Sequence, residues 1–455
     1  MKDLTHGSIT RHLLEMAAVM VIGMVGQTLY YLVDLYFVSG LGPQAIAGVG
    51  AAGNIAFVVL ALTQILNVGT VALISHAVGR KDQPDANLVF NQSLALSAII
   101  GVIVLVAGYT LTRPYLQMVG SDEGMQRDGV NYLYWFLPGL ALQFAMVSMG
   151  AALRGTGIVK PTMTVQVLTV LLNVVLAPVL IAGWGTGHPL GVAGAGLAST
   201  IAIAVGVILL TWYFERLEKY VSFHSTQWKP NFAYWKRILN IGFPAGGEFF
   251  VMFLLMALMY WLIRGFGAEA QAGYGIGQRV MQSIFLPAMA IAFSVAPVAG
   301  QNFGARRADR VRETFYAAAL LEAAIMAVIT LLCQIAPGAL IAAFTTDAKV
   351  IEVGTDFLHI MSWNFIASGF IFCCSGLFQA MGNTWPALMS GASRIVIFGI
   401  PAVWLSRQAD FHLHTVWKVS VTTILLQAVI SYVLLQREMR KKLAFAPAAP
   451  VVAAR

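Results

Sequence analysis

The chain has 455 residues, of which 58% are hydrophobic and only 11% are charged. A soluble protein needs about 25% charged residues to cover its surface, so this composition excludes an ordinary soluble protein. The formal net charge is +8, and the placement of the basic residues has to show whether that charge serves nucleic-acid binding or something else.

Apolar stretches long enough to cross a bilayer recur along the whole chain. A membrane-spanning helix needs about 20 mostly apolar residues. The first stretch carries Glu15 and runs too long for a cleaved signal peptide, so we expect it to be retained. We predict an all-α integral membrane protein with twelve spans, at 12–38, 46–78, 87–111, 129–153, 161–182, 192–214, 235–264, 270–302, 310–335, 351–380, 386–405 and 416–436.

The basic residues lie mainly on one side of these spans. The N-terminus, alternate loops and the cluster at 437–442 hold most of the Lys and Arg residues, and the opposite loops hold few. Lys and Arg accumulate in cytoplasmic loops, so we predict a multi-pass protein of the inner (cytoplasmic) membrane with both termini cytoplasmic. The positive charge therefore indicates topology, and we expect no nucleic-acid partner.

The chain contains an internal repeat. Residues in three pairs of matching loops are separated by the same 225 residues: Gly42 and Gly267, Gly79 and Gly304, Pro161 and Pro386. One register held across three loops indicates a tandem duplication of a six-helix unit.

The repeat predicts two pseudo-symmetric lobes inserted the same way up around a central cleft. We assign 1–214 to the N lobe, 215–234 to a cytoplasmic linker, 235–440 to the C lobe and 441–455 to a disordered tail. Two bodies that can rock about a shared cleft favour a secondary transporter over a channel, since alternating access requires such an arrangement.

Asp34 is the outstanding polar residue, because it lies deep in the first span. A charge at the centre of a bilayer costs about 3 kcal/mol on insertion scales, so a retained one usually has a function. Gln27, Tyr30 and Asp34 recur at helical spacing and share one face. We interpret Asp34 as a proton or cation site; a structural acid bonded to Tyr and Gln partners is the alternative.

Further polar residues are candidates to face Asp34 across a cavity. Each of them alone is typical of a hydrogen bond between packed helices, but together in one half they suggest a binding site. The candidates are Gln64, Asn67, Gln166, Asn173 and Thr200.

In the second half, Glu248 follows Pro244 by four residues. A proline there bends the helix, so Glu248 is a candidate to line the cleft, or else an acid that pairs with Lys236 or Arg237. The sequence carries no phosphate-binding loop, dinucleotide motif or zinc spacing. We therefore expect no enzyme activity, metal or cofactor, and transport driven by an ion gradient.

At this point the chain resembles the multidrug and toxic compound extrusion (MATE) family, in its DinF-like branch. The resemblance rests on Tyr30-Tyr-Leu-Val-Asp34, Gly150-Ala-Ala-Leu-Arg-Gly-Thr-Gly157, Asn173-Val-Val-Leu-Ala-Pro and Gly300-Gln-Asn-Phe-Gly304. It implies twelve spans in a V-shaped pair of lobes and export of organic cations coupled to H⁺ or Na⁺. It also implies coupling roles for Asp34, Tyr30 and Asn173.

Two positions depart from the family pattern. Ala177 stands where the branch usually has an aspartate, and Val19 stands where the family has a proline in the first span. Because hard cations usually need more than one anionic oxygen ligand, the loss at Ala177 favours H⁺ over Na⁺, although Na⁺ stays possible.

We predict an H⁺-coupled antiporter that exports hydrophobic or cationic compounds, acting as a monomer in the bilayer. One alternative is a flippase for lipid-linked saccharides or another lipid-like substrate, which would favour a cationic cleft for pyrophosphate. The others are an uptake carrier for a nutrient and a membrane receptor or scaffold that moves no protons.

Overall fold

The computed structural model describes residues 1–120, 122–408 and 410–445. The first half forms six long helices. These are α1 (Ile9–Ser39), α2 (Pro43–Gly79), α3 (Gln83–Val119), α4 (Glu123–Gly155), α5 (Lys160–Ile181) and α6 (Val192–Arg216).

A linker with one short 3₁₀ turn, Ser225–Trp228, leads into the second half. Its helices are α7 (Phe232–Ile263), α8 (Ala268–Ile284), α9 (Leu286–Gly304), α10 (Ala308–Ile335), α11 (Pro337–Ala342), α12 (Ala348–Met361), α13 (Phe365–Ala380), α14 (Trp385–Leu405) and α15 (Leu413–Lys442). Twelve helical segments in the described part of the chain are long and apolar enough to cross a membrane, which confirms the prediction of twelve spans.

Two of the predicted continuous spans are interrupted. The span predicted at 270–302 is divided at Phe285 into α8 and α9, and Pro287 opens the second piece. A proline cannot donate the backbone hydrogen bond that would continue the preceding helix. The span predicted at 351–380 breaks at the 3₁₀ turn Ser362–Asn364.

The break in the tenth span is held by polar side chains of α10. Thr330 Oγ1 donates to Ser362 O at 3.0 Å, and Gln334 Nε2 donates to His359 O at 2.7 Å. Helix ends leave backbone carbonyls without partners, and these two side chains satisfy them. No proline marks this break, so it was not predicted from the sequence.

Each half packs into its own bundle. In the N lobe, α2 packs against α3 and α4, α4 against α6, and α5 against α1 and α6. In the C lobe, α9 packs against α10 and α13, α7 against α14, and α15 against α12 to α14.

The two lobes meet at the end of the molecule that carries the N-terminus and the end of α15. There α2 packs against α7 and α9, and α1 packs against α9. His76 Nε2 forms a hydrogen bond of 2.6 Å with Ala380 O, and Gln301 Nε2 donates to Gly155 O at 3.0 Å. These contacts, which we call the lobe seal, close that end of the molecule.

The repeat glycines explain why the helices approach so closely at the seal. A Cβ atom on Gly79 would lie 2.0 Å from Gln301 O, and one on Gly304 would lie 2.2 Å from His76 O. Small residues allow backbones of membrane helices to touch. The two glycines related by the 225-residue repeat therefore form one reciprocal contact between the lobes.

The N-terminal arm, residues 2–7, lies across this seal. Leu4 N donates to Gln301 Oε1 at 2.9 Å, and Arg307 Nη1 donates to Thr5 O at 2.7 Å. Lys2 N donates to Thr156 O of the N lobe at 2.8 Å. The arm thus contacts both lobes, although the sequence assigned it to the N lobe alone.

The linker is fastened to α3 by two buried amides. Asn91 Oδ1 accepts from His224 N at 2.9 Å and from Trp228 Nε1 at 3.0 Å. Gln92 Nε2 donates to Lys229 O at 2.8 Å. Of the tail predicted at 441–455, helix α15 includes 441 and 442, and 446–455 lies outside the described residues.

Candidate functional site

A cavity of about 500 Å³ lies above the lobe seal, mostly within the N lobe. Its walls are largely apolar, and three residues of the C lobe, Phe293, Ala296 and Gln379, also line it. A volume of this size suits a drug-sized ligand, since ligand pockets typically span about 300–1,000 Å³.

The cavity brings together six of the residues predicted from the sequence. They come from α1, α2 and α5: Gln27, Tyr30, Asp34, Gln64, Asn67 and Gln166. The helical spacing that placed Gln27, Tyr30 and Asp34 on one face of α1 is therefore confirmed.

Asp34 lies toward the end of the cavity away from the seal. Its side chain is 7% exposed, and its Oδ1 atom has no hydrogen-bond partner among the described residues. The nearby Tyr30 hydroxyl donates to Ser199 Oγ of α6. Asp34 is the one acidic residue among the described residues that line the cavity, so it dominates the electrostatics of that end.

Asn173 lies level with this end of α1, although it does not line the cavity. A Cβ on Gly23 would touch Met163, and a Cβ on Gly26 would touch Val170, so α1 and α5 run in parallel register. One helical turn further along both helices, the same register places Asn173 of α5 beside residues 30–34 of α1. Asn173 is fully buried, and neither polar atom of its side chain has a hydrogen-bond partner within the described structure.

The middle of the cavity is lined by polar amide side chains and by flexible methionine side chains. Gln166 Nε2 donates to Gln27 Oε1 at 3.1 Å, which joins α5 to α1. Four methionines also line the cavity, and their flexible thioethers adapt to ligands of different shape. They are Met20, Met24, Met146 and Met163.

A second charged group lies at the end of the cavity near the seal. The guanidinium group of Arg154, in the last turn of α4, donates to Asn67 Oδ1. Asn67 Nδ2 in turn donates to Gln64 Oε1 at 2.8 Å. The two amides predicted as cavity residues therefore hold an arginine side chain.

Thr200 and Glu248 do not line this cavity. Thr200 Oγ1 donates to Trp135 O at 2.5 Å, which is the helix-to-helix bond that a lone threonine typically makes. Glu248 accepts from Ser375 Oγ at 3.0 Å within the C lobe. Arg237, one of the basic residues considered as its partner, lies 3.6 Å from Asp85 instead.

Several cavity residues were not predicted from the sequence, and the most important is Arg154, which lies just beyond the predicted span 129–153. A signal was present in the spacing of α4. Gln143, Val147, Gly150 and Arg154 recur at intervals of four, three and four residues, which places them on one helical face. All four line the cavity.

No group of three or more His, Cys, Asp or Glu side chains arranged to hold a metal ion occurs among the described residues. Ala177, which replaces the aspartate of the family pattern, is fully buried in α5 one turn beyond Asn173.

Comparison with known proteins agrees with this architecture. The sequence model of the MatE family matches residues 20–179 and 244–405, once in each half. A relative from Bacillus subtilis (strain 168), named a probable multidrug resistance protein YoeA, is 25% identical over 357 residues, covering 77% of this chain and 76% of the relative. The protein named FAD transporter of Shewanella oneidensis is 22% identical over 445 residues, covering 96% of this chain and 97% of the relative.

A solved structure described as the outward-facing conformation of a multidrug resistance MATE family transporter superposes with a TM-score of 0.91. Its sequence is 23% identical, and the match covers 98% of each chain. This likeness confirms the predicted V-shaped fold of two lobes.

Proposed function

This chain belongs to the MatE family, and we propose that it is a proton-coupled antiporter that exports hydrophobic or cationic compounds from the cell. The named relatives support drug export as the general activity. The coupling ion, the direction and the substrate class rest on the cavity and on the placement of charge.

The orientation follows from the basic residues. The arm, the seal-side loops and the end of α15 carry Lys2, Arg80, Arg307 and 437–442. Because basic residues accumulate on the cytoplasmic side, we assign the seal to the cytoplasmic face of the inner membrane. The structure is then an outward-facing state, closed toward the cytoplasm.

Asp34 carries the proposal. An ionised carboxylate with one oxygen unpartnered in a largely apolar cavity is costly, because burial of a charge must be compensated by a partner. Either a proton or a cationic ligand can provide that compensation. A proton that neutralises Asp34 therefore weakens a bound cation, and release of the proton restores the site.

Coupling then follows from competition. A ligand shifts an equilibrium between two conformations only through its different affinity for them. If protonated Asp34 favours one arrangement of the lobes and the bound cation favours the other, H⁺ that enters the cell by way of Asp34 drives export of the cation.

One feature favours H⁺ over Na⁺. Ala177 provides no second carboxylate beside Asp34, and sodium-like hard cations require several oxygen ligands. The position of Val19 does not discriminate between the ions: α1 runs unbroken over Ile9–Ser39 with Val19 in place of a proline, so coupling here cannot use a proline-dependent bend of the first span.

The test compares wild-type protein with Asp34→Asn and a matched control, Glu15→Gln, in proteoliposomes at pH 6 to 8. Glu15 is an acid on the same helix, but it forms ion pairs with Lys2 at 2.5 Å and Arg11 at 2.7 Å outside the cavity. We expect a cationic dye to release protons from wild type and from Glu15→Gln, without a requirement for Na⁺. Asp34→Asn should release none.

Persistent proton-coupled transport in Asp34→Asn, or a strict need for Na⁺, contradicts the coupling role of Asp34. Ligand binding without any flux in wild type would instead indicate a receptor, and accumulation driven inward would indicate an uptake carrier.

Two observations favour the flippase alternative. Arg154 gives the cavity a cationic group of the type that binds phosphate, and one relative is named for transport of FAD, which contains a pyrophosphate. The cavity has one arginine at the end near the seal and one acid at the opposite end. This arrangement fits a small amphiphile better than a lipid-linked saccharide. Movement of a fluorescent lipid across proteoliposomes that contain the protein would reverse this preference.

A further inference from the structure

We propose that Arg154 and Thr162 form an anion-binding subsite at the inner end of the cavity. The subsite binds the carboxylate or phosphate group of an amphipathic substrate whose apolar body fills the rest of the cavity. This inference rests on the proposed transport function and names a substrate class for it: compounds that carry an acidic group, including zwitterions.

The first observation is that Arg154 lacks a counter-ion. It lines the cavity and donates to Asn67, and no carboxylate among the described residues lies within 4.0 Å of its guanidinium group. A guanidinium group has five N–H donors in a fixed fork. One amide oxygen therefore leaves donors that can face a ligand.

The second observation concerns Thr162, which also lines the cavity. Its side chain is 6% exposed, and its hydroxyl has no hydrogen-bond partner within the described structure. Buried hydroxyl groups are normally bonded, so an unpartnered one at a cavity wall points to a ligand.

Gly150 places these two groups side by side. A Cβ atom built on Gly150 would lie 3.5 Å from Arg154 Nη1 and 3.7 Å from Thr162 Oγ1. The same atom would lie 2.9 Å from Thr162 Cγ2, which is too close for an ordinary contact. A side chain at residue 150 would therefore clash with Thr162, and the glycine allows the guanidinium group and the hydroxyl to lie close together on one wall of the cavity.

A purely structural role for Arg154 explains only part of these observations. A cation in the last turn of a helix is favoured by the helix dipole, which accounts for a charge at this end of α4. It does not account for a guanidinium group that lines the cavity, or for the unpartnered Thr162 hydroxyl beside it.

The opposite charges lie at a distance that a drug-sized molecule can span. Met163, the neighbour of Thr162, contacts the position of Gly23 on α1. Asp34 is eleven residues further along α1, which corresponds to about 16 Å at a rise of about 1.5 Å per residue. An elongated zwitterion can therefore present its cation to Asp34 and its anion to Arg154.

The test uses a matched pair of dyes on the purified full-length protein. Tetramethylrhodamine methyl ester is a cation, and tetramethylrhodamine is the same molecule with a free carboxylate. Fluorescence polarisation measures the Kd of each dye for wild type, Arg154→Gln, Arg154→Lys and Thr162→Val.

We expect Arg154→Gln to weaken the carboxylate dye about tenfold or more, as loss of a charge-assisted hydrogen bond does, and to change the ester less than about twofold on the same scale. Arg154→Lys should fall between wild type and Arg154→Gln, because it retains the charge without the fork. Thr162→Val should weaken only the carboxylate dye, by less than Arg154→Gln does.

Equal weakening of both dyes, or no effect on either, overturns the subsite and leaves the export function standing. Wild-type protein that binds the ester but not the carboxylate dye overturns it as well. If binding of the carboxylate dye depends on Arg154 but wild-type protein in proteoliposomes transports neither dye, the result supports the subsite and refutes the export function.

A competition arm separates two sources of the anion. Phosphatidylglycerol that displaces the carboxylate dye from wild type assigns the subsite to a lipid headgroup, and failure to displace it assigns the subsite to a soluble amphiphile.

Discussion

The contact between Gly79 and the C lobe predicts that one methyl group shifts the balance between lobe arrangements. In Gly79→Ala the new Cβ would lie 2.0 Å from Gln301 O and 2.9 Å from Ala305 N. Both are backbone atoms, so no side-chain rotation can relieve the clash.

The magnitude follows from these distances. An ordinary contact begins at 3.4 Å, so α2 and α9 must separate locally by about 1.4 Å (3.4 minus 2.0). Overpacking of this kind typically costs about 1–3 kcal/mol, and 1.4 kcal/mol changes an equilibrium about tenfold. The clash exists only while the seal is closed, so we expect the ratio of seal-open to seal-closed protein to rise by about fivefold to 150-fold.

Spin labels on either side of the seal measure this shift. Lys160 at the start of α5 and Arg312 in α10 are exposed on different lobes. The three native cysteines, Cys333, Cys373 and Cys374, are buried, so labels attach to cysteines placed at the two exposed positions. In Gly79→Ala the longer interlobe distance should gain population.

Gly50→Ala is the control on the same helix, because nothing lies within 4 Å of a Cβ at Gly50. Its distance distribution should match that of wild type. An unchanged distribution in folded Gly79→Ala, or an equal shift in Gly50→Ala, would show that the seal is not closed by this glycine contact.

Two further predictions concern stability outside the cavity. Glu322 is fully buried in α10, and its carboxyl group pairs only weakly, with the Cys373 thiol. Glu322→Gln should therefore leave the thermal midpoint unchanged or raised, and a marked fall in a thermal-shift assay would reveal a required carboxylate. Asn91→Ala removes the acceptor of His224 N and Trp228 Nε1, which belong to exposed residues of the linker. Loss of two hydrogen bonds at about 0.5–1.5 kcal/mol each should destabilise the protein by about 1–3 kcal/mol. The exposed Asn54, which makes one hydrogen bond, provides the control Asn54→Ala, and equal midpoints for the two variants would contradict the fastening of the linker to α3.

Much of the fold was predictable from local sequence because a bilayer imposes simple rules on each span. Apolar length sets where helices cross, whereas the side that the loops face stays a prediction from the basic residues. The helical period of α1 also placed Gln27, Tyr30 and Asp34 on one face, since that depends only on 3.6 residues per turn.

The break in the tenth span was not predictable in the same way. The break at Ser362–Asn364 depends on Thr330 and Gln334, which lie on another helix. A backbone carbonyl that has lost its hydrogen bond within a helix is tolerated in a membrane only where another group donates to it. The pattern of apolar residues along the broken span does not show that such a donor exists on a neighbouring helix.

For the lobes and the site, too, some features follow from the local sequence pattern and others depend on tertiary contacts. The sequence by itself determined twelve spans, the duplication and Asp34 as the exceptional acid, because each of these is visible in composition or spacing along one chain segment. Only the tertiary structure decided that Gly79 meets the C lobe and that Arg154 lines the cavity beside Thr162 rather than lying in a loop. The direction of a long side chain at a helix end depends on which neighbouring helices offer it a partner, and for Arg154 that partner is Asn67 of α2.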